Sequence, residues 1–274
     1  MRKRGGCGSI ASLPLPTLTP MEDTQPPADN SRVRIAQGLA WLALALGFIC
    51  GAAALLAGPG YRMDLLSLSA GIQTIRWAAT GAIAGAVLAL LALGLAWGLG
   101  VRSLRSFSVG ALALNALVAG PPLYMYRLVQ TLPHIHDVST DTADPPLFVA
   151  VVPLRKGARN PVDYKTEAAA QQKSGYPNIA PLVLDAQPSR GFERTERAAR
   201  AMGWEIVTVS PRDLRIEATD TTLLFGFKDD IVVRVRPHAQ GSIVDVRSLS
   251  RVGGSDFGAN AKRIRAFLQK VAAG

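Results

Sequence analysis

The sequence predicts a membrane anchor of about three transmembrane helices followed by a two-layer α+β domain, built as helix, about four antiparallel strands, helix. Three observations carry this prediction. The first half of the 274-residue chain holds three long apolar runs, each long enough for a bilayer, which takes about 20 apolar residues. Strand-like alternation is confined to the second half. That half also carries two amphipathic helical stripes, one before the strands and one after them.

The apolar runs extend over about residues 33–57, 77–99 and 107–129. The second, "AATGAIAGAVLALLALGLAWGLG", contains no charge, and the third contains Pro121 and Pro122, which remove helical hydrogen bonds and predict a kink. Apart from Arg34 and Arg127 near their ends, the three runs contain no Asp, Glu, Lys, Arg or His, which argues against an ion or proton relay. Asn115 inside the third run and Gln37 in the first are expected to hydrogen-bond between helices. Gly47 and Gly51, Gly81 and Gly85, and Gly94 and Gly98 form GxxxG pairs that permit close helix approach.

Cations set the expected orientation. Arg2, Lys3, Arg4, Arg32, Arg34, Arg102 and Arg105 fall on one side of the three runs, and Arg62, Arg76 and Arg127 on the other. The N-terminus is therefore expected in the cytoplasm and the C-terminal domain outside it. The prolines that interrupt "MRKRGGCGSIASLPLPTLTP" exclude a cleavable signal peptide. Met21 offers a second start, from which the first run acts as an uncleaved signal anchor. The expected organisation is a disordered leader over residues 1–32, a transmembrane region over 33–130, an extended connector over 131–175 and a soluble domain over 176–274.

Composition narrows the function classes. The net charge is +10, but twenty Lys and Arg face sixteen Asp and Glu after Gln130. Interspersed signs do not make the clustered basic face of a nucleic-acid binder, so no nucleic-acid partner is expected. Cys7 and Cys50 are the two cysteines and lie far apart in character, so neither a disulfide framework nor a cysteine zinc site is expected. His134 and His136 form an H-x-H pair, and His238 is the third histidine. Zinc takes three or four protein ligands, so the expectation is no metal and no cofactor.

In the connector, "FVAVV" (148–152) reads as a short strand and 164–173 as a short helix. In the domain, residues 188–202 place Phe192, Thr195, Ala199 and Met202 on one stripe, with Gly203 as terminator. "WEIVTVS" and "DLRIEATDTTLLFGF" read as strands; "DDIVVRVRP" and "GSIVDVRSLSRV" form a pair joined by "HAQG". Leu214, Ile216 and Ala218 alternate with Arg215 and Glu217, Ile231, Val233 and Val235 with Arg234 and Arg236, and Val244 and Val246 with Asp245 and Arg247. One sheet face is thus apolar. The other is expected to be open, carrying a ladder of cross-strand ion pairs or a surface for anionic groups.

The stretch "DVRSLSRVGGSDFGANAKRIRAFL" tests an enzymatic reading. Gly253 and Gly258 have P-loop glycine spacing, but Ala259 and Asn260 stand where Lys and Ser or Thr belong. Asp256 would repel a phosphate there, and no G-x-G-x-x-G follows a strand. "GGSDF" departs from the G-x-S-x-G nucleophile elbow at its last position. Ser255 and Asp256 are instead expected to cap a helix from about residue 255 to 272, whose buried stripe is Phe257, Ala261, Ile264, Leu268 and Val271.

"IHDVSTDTADPPLF", "YPNIAPL", "RAMGW", "RIEATDTTLLFGFKDDIVVRVRP" and "VDVRSLSRVGGSDFGANAKRIRAFL" occur in that order. Together, over Leu132 to Leu268, they resemble the family called domain of unknown function 1499. The resemblance implies membrane-attached bacterial relatives and carries over no catalytic residue. Asp229, Asp230, Arg234, Asp245, Arg247, Ser248, Ser250, Arg251, Asp256 and Asn260 cluster near the final hairpin and turn, and are the candidate ligand-binding residues. The expected partners are the lipid bilayer and an envelope protein or anionic envelope ligand. The rival expectation is an enzyme acting on such a ligand through the Asp/Arg cluster.

Overall fold

The structure is a computed structural model that describes residues 30–274. The leader up to residue 29, with Cys7 and Met21, lies outside the described residues.

Three helices long and apolar enough to cross a membrane come first: α1 (Asn30–Arg62), α2 (Leu68–Gly98) and α3 (Arg102–Thr131). Small residues line their contacts at alternating steps of three and four. These are Ala36, Ala40, Ala43, Gly47 and Cys50 in α1, and Ala78, Ala82, Gly85, Ala89, Ala92 and Ala96 in α2. Large side chains such as Leu42, Leu55, Leu90 and Leu117 point outward instead. In lipid an outward leucine loses nothing, and close packing of small residues holds helices together. Asn115 of α3 is fully buried at the centre and donates to Ala43 O of α1 at 2.8 Å and Ala111 O at 2.9 Å, the interhelical bonding the sequence predicts. Two of the glycine pairs serve this packing. Gly47 meets Leu114 and Asn115, Gly51 meets Val118, Gly81 meets Cys50 and Gly85 meets Asn115. A methyl added at Gly94 or Gly98 would meet nothing within 4 Å. Gln37, expected to bond between helices, is exposed.

The C-terminal domain adds β1 (Asp137–Ser139), α4 (Thr166–Gly175), β2 (Leu182–Leu184), α5 (Pro188–Ala201), β3 (Glu205–Ser210), β4 (Arg215–Thr221), β5 (Lys228–His238), β6 (Gly241–Ser250) and α6 (Ala259–Ala273). The sheet is antiparallel in the order β1-β6-β5-β4-β3, with β2 beside β1 on the same edge of β6. The expected helix, four strands and helix are α5, β3 to β6 and α6. The expected hairpin pairs His238 with Gly241. Gly203 sits at φ 76 just past α5, as a helix terminator requires.

One sheet face is apolar and packs on α5 and α6. Ile216, Ala218, Ile231, Val233, Val235, Val244 and Val246 meet Phe192, Ala199, Ile264, Phe267 and Val271, with Trp204 against Phe267.

The structure corrects four local expectations. The "FVAVV" segment is no strand; it enters a 3-10 turn at Val152–Arg155. β4 stops at Thr221, and residues 222–227 form a turn rather than a continuing strand. α6 starts at Ala259 rather than Ser255, because Gly258 at φ 82 sets the entry. Phe257 is 41% exposed at φ 53, outside the buried stripe, and Phe267 fills that role at 0%.

The charged sheet face is the larger correction. It is covered, not open. The segment from Thr140 to Tyr164, here called the strap, crosses it; Phe148 and Val151 pack on Val232 and Leu249, and Glu217, Asp245 and Arg247 are at most 1% exposed. The strap brings backbone N–H groups and carbonyls that need partners, and the charged side chains supply them.

Candidate functional site

The ten candidate residues divide between the two sheet faces, because alternate positions of a strand point to opposite sides. Asp229, Ser248 and Ser250 share the helix side with Asp256 and Asn260. Asp230, Arg234, Asp245, Arg247 and Arg251 share the strap side. Eight of the ten are buried, Arg234 and Arg251 being the two that are partly exposed. They form two networks rather than one site.

On the helix side, Arg263 of α6 is the hub, and the sequence argument missed it. Its Nη2 donates to Asp229 Oδ2 at 2.7 Å and its Nε to Asp220 Oδ2 at 2.8 Å. Its Nη1 donates to Ser248 Oγ at 3.0 Å and Asn260 Oδ1 at 2.6 Å. Ser248 Oγ in turn donates to Asn260 Oδ1 at 2.7 Å, and Asn260 Nδ2 donates to Ser250 Oγ at 3.1 Å and His136 O at 3.0 Å. Asp256 closes the network from the turn, accepting from Gly258 N–H at 2.9 Å and Asn260 N–H at 2.7 Å. Burial pushes the Asp256 carboxyl above its ordinary range, and these two N–H groups oppose that shift. Ser255 Oγ accepts only from Phe257 N–H, at 3.3 Å. Asp256 is therefore the helix-entry cap, acting three residues before α6 begins.

On the strap side there are three nodes. Asp230 accepts from Arg155, from Arg251 Nε and Nη2 at 2.9 and 2.8 Å, and from the Thr219 hydroxyl at 2.8 Å. Glu217 accepts from the N–H groups of Val149 and Val151 at 3.0 and 2.9 Å and from Arg215 Nε at 3.0 Å. Arg247 forms a two-pronged pair with Asp137, Nε to Oδ1 at 3.0 Å and Nη2 to Oδ2 at 2.7 Å. It also donates to Val162 O at 2.6 Å and lies 5.0 and 5.2 Å from the ring centres of Phe148 and Tyr164. At the far edge Asp245 Oδ2 accepts from Arg234 and Arg236, and those two reach Asp144 and Asp141 of the strap.

Electrostatics follow burial. Tyr164 Oη is buried without a hydrogen-bond partner, and burial with the nearby Asp137 charge pushes its pKa up to about 12. Burial also raises Asp141, but N–H groups of Asp144 and Ala143 together with Arg236 outweigh it and hold the carboxyl below its ordinary value.

Two grooves on the described residues have volumes of about 210 and 290 Å³, at or below the lower end of the roughly 300–1,000 Å³ of a ligand pocket. His134, His136, Asp163 and Glu167 line the first, and Thr140, Gln172 and Tyr176 the second; none of the ten candidates lines either. His136 Nδ1 lies 3.5 Å from Gly254 O. Among the described residues no three His, Cys, Asp or Glu side chains converge as a ligand set.

The strap-side partners Asp137, Arg155, Glu217 and Thr219, and Asn160, whose Nδ2 donates to Ser250 O and Gly253 O at 2.9 Å each, were not among the ten candidates. The signal for Glu217 was its place between two apolar residues of β4. No comparable signal marks Arg155, whose partner lies 75 residues away.

No curated protein matches the chain. Residues 137–271 match the family model described as protein of unknown function, DUF1499. Those bounds run from the first residue of β1 into the last turn of α6, so they take in the sheet, the strap, α4, α5 and most of α6. The C-terminal domain of this chain is a member of the DUF1499 family.

Proposed function

We propose that the chain is a membrane-anchored binding module. Its three helices hold the DUF1499 domain on the extracytoplasmic side of a bacterial inner membrane, where the domain engages an envelope protein or an anionic envelope ligand. The observation that carries this reading is the fate of the candidate charges. An enzyme needs its acid, base or nucleophile at the wall of a cleft. Here the carboxylates and guanidiniums are turned into the fold, where they tie strap and α6 to the sheet.

The orientation is supported by cations. Arg32, Arg34, Arg102 and Arg105 sit at one end of the helices, and Arg62, Arg76 and Arg127 at the other, domain-bearing end. Arg105 also closes the end of α2, donating to Ala96 O and Trp97 O at 3.2 and 3.1 Å, a favourable place for a cation.

Alkaline phosphatase and green fluorescent protein fused separately after Gly274 test the orientation; active phosphatase and dark fluorescent protein are expected. Bright fluorescent protein with inactive phosphatase overturns it. Photocrosslinking in cells from Leu147 or Val149, exposed on the strap's outer side, is expected to give one discrete envelope adduct. Turnover of an anionic envelope substrate by the purified chain, abolished by Asp230→Asn in a folded protein, overturns the non-enzymatic reading.

A further inference from the structure

The turn between β4 and β5 does more than reverse the chain. It closes on itself, with Thr222 N–H to Phe227 O at 2.8 Å, Gly226 N–H to Thr222 O at 3.0 Å and Phe227 N–H to the Thr222 hydroxyl at 2.8 Å. Its aromatic residues face the helices. Phe225 stacks on Phe227 with ring centres 5.0 Å apart, and Tyr61 of α1 lies 6.0 and 5.7 Å from the two rings. Arg62 Nη1 donates to Leu223 O at 3.2 Å.

Two helix glycines make room for this turn. A Cβ on Gly58 of α1 would lie 2.7 Å from Leu224 Cγ, and one on Gly71 of α2 would lie 3.0 Å from the Phe225 ring. The apex is nevertheless apolar and uncovered. Leu223 is 92% exposed and Leu224 40%, in a place where turns ordinarily carry Gly, Asn, Asp or Ser.

The helices fix the level of this apex. Trp77 and Trp97 of α2 both face outward. Twenty helical residues separate them, about 30 Å at about 1.5 Å per residue, which equals the hydrocarbon thickness of a bilayer of about 30 Å. Tryptophan collects at both edges of that layer. Ala53 and Ala54 of α1 pack in one cluster with Ala78, so the outer edge meets α1 near Ala54. Gly58 lies about 6 Å further out, within the headgroup layer. Arg62 and Lys228, both exposed, flank the apex with positive charge.

We propose that the β4–β5 apex is a second membrane contact: Leu223 and Leu224 enter the headgroup layer of the bilayer that the three helices cross, and lipid is the occupant of this patch. The inference rests on the reading of α1 to α3 as membrane-spanning. Its consequence is that the domain is held at the bilayer from two sides, by the chain leaving α3 and by this apex.

The test places an environment-sensitive fluorophore on single cysteines of the full chain, with Cys7→Ala and Cys50→Ala as background. Leu223→Cys reports the apex, Leu90→Cys the outward face of α2, and Leu147→Cys the outer side of the strap; all three native side chains are exposed. The protein is reconstituted in vesicles of phosphatidylcholine and phosphatidylglycerol carrying a nitroxide either on the headgroup or midway along the acyl chain. Expected is a blue-shifted label at 223 that loses most of its emission to the headgroup nitroxide. The label at 90 should be quenched by the acyl-chain nitroxide, and the label at 147 by neither. Quenching at 90 but not at 223 overturns the apex contact and leaves the anchor standing. Quenching at neither position overturns both. A blue shift at 223 without quenching by either lipid shows protein covering the apex and also overturns the proposal.

Discussion

Arg247 offers the sharpest test of the buried strap. Its side chain is 1% exposed and that of Asp137 is 6%. Replacing Arg247 with Met keeps most of the stem but deletes both bonds to Asp137, the bond to Val162 O and the contacts with Phe148 and Tyr164. Asp137 is then a buried carboxylate without its counter-charge, which costs about 3–5 kcal/mol. Against a typical total of about 5–15 kcal/mol, the domain becomes marginal. The double variant Arg247→Met with Asp137→Leu removes the orphaned charge. It should lose only about 1–2 kcal/mol, mainly for the unpaired Val162 carbonyl. The second substitution should thus rescue the first.

Hydrogen exchange of the β5–β6 ladder in the detergent-solubilised full chain reads this directly. A loss of about 3–5 kcal/mol accelerates amides that exchange by global opening roughly a hundred- to several-thousand-fold, and the double variant should recover most of that factor. Wild-type exchange in the single variant would show that the pair holds nothing. A double variant less stable than the single one would refute the argument that the unpaired carboxylate carries the cost.

Tyr164→Phe should leave stability at neutral pH within about 0.5 kcal/mol, because the hydroxyl has no partner to lose. Its sign at high pH is fixed: the folded state holds the proton with a pKa of about 12 against 10.0 in the unfolded chain, so that stabilisation is complete below pH 10 and is lost as pH rises through 12. Alkaline unfolding followed by circular dichroism should show a shallower slope in the variant. Asp256→Ala should cost about 0.5–2 kcal/mol as a lost cap, lowering the melting temperature with no gain in phosphate-induced stabilisation, whereas Ser255→Ala should change little. Because burial raises the Asp256 pKa above 3.8, the folded state binds that proton more tightly, and its contribution declines as pH rises from 3.8 through the folded value; the Ala variant should lack that decline. In the bundle, Gly85→Ala would bring a methyl within 2.8 Å of Asn115 Cγ and should cost about 1–3 kcal/mol by overpacking. Gly94→Ala, in open space, should be neutral in the same detergent-unfolding assay.

Local pattern carried much of the architecture. The apolar runs, the alternation in β4 to β6, the Gly203 terminator and the His238–Gly241 hairpin each depend on residues a few positions apart, and each was readable. The misreadings share a cause. Arg234, Asp245 and Arg247 alternate with valines as they would on a solvated face, and nothing within β5 or β6 announces that residues 140–164 lie across them. Burial of that face is a contact over 85 to 110 residues of sequence, as in Arg247 with Val162 and Asp137. The same holds for the candidate residues. Their polarity and clustering were visible, but strand parity divides them between two networks. Each network is completed by a residue from elsewhere: Arg263 on α6, and Arg155 at the end of the strap's 3-10 turn.

The cost of burying so much charge becomes intelligible when the strap is followed back to the membrane. A buried ion pair adds little net stability over an apolar pair of the same volume, but it does fix register, since a mispaired charge is strongly penalised. α3 ends at Thr131 and β1 begins at Asp137, so only residues 132–136 separate the last of the three long apolar helices from the sheet. Asp137 is the first residue of that strand and the partner of Arg247. Gln172 of α4 then locks Ser139 from outside, accepting from its N–H at 2.9 Å and donating to its carbonyl at 2.6 Å. A slip of β1 by one residue would turn Asp137 to the helix side and leave Arg247 buried alone. The charge network therefore sets where the helix-bearing end of the chain joins the sheet.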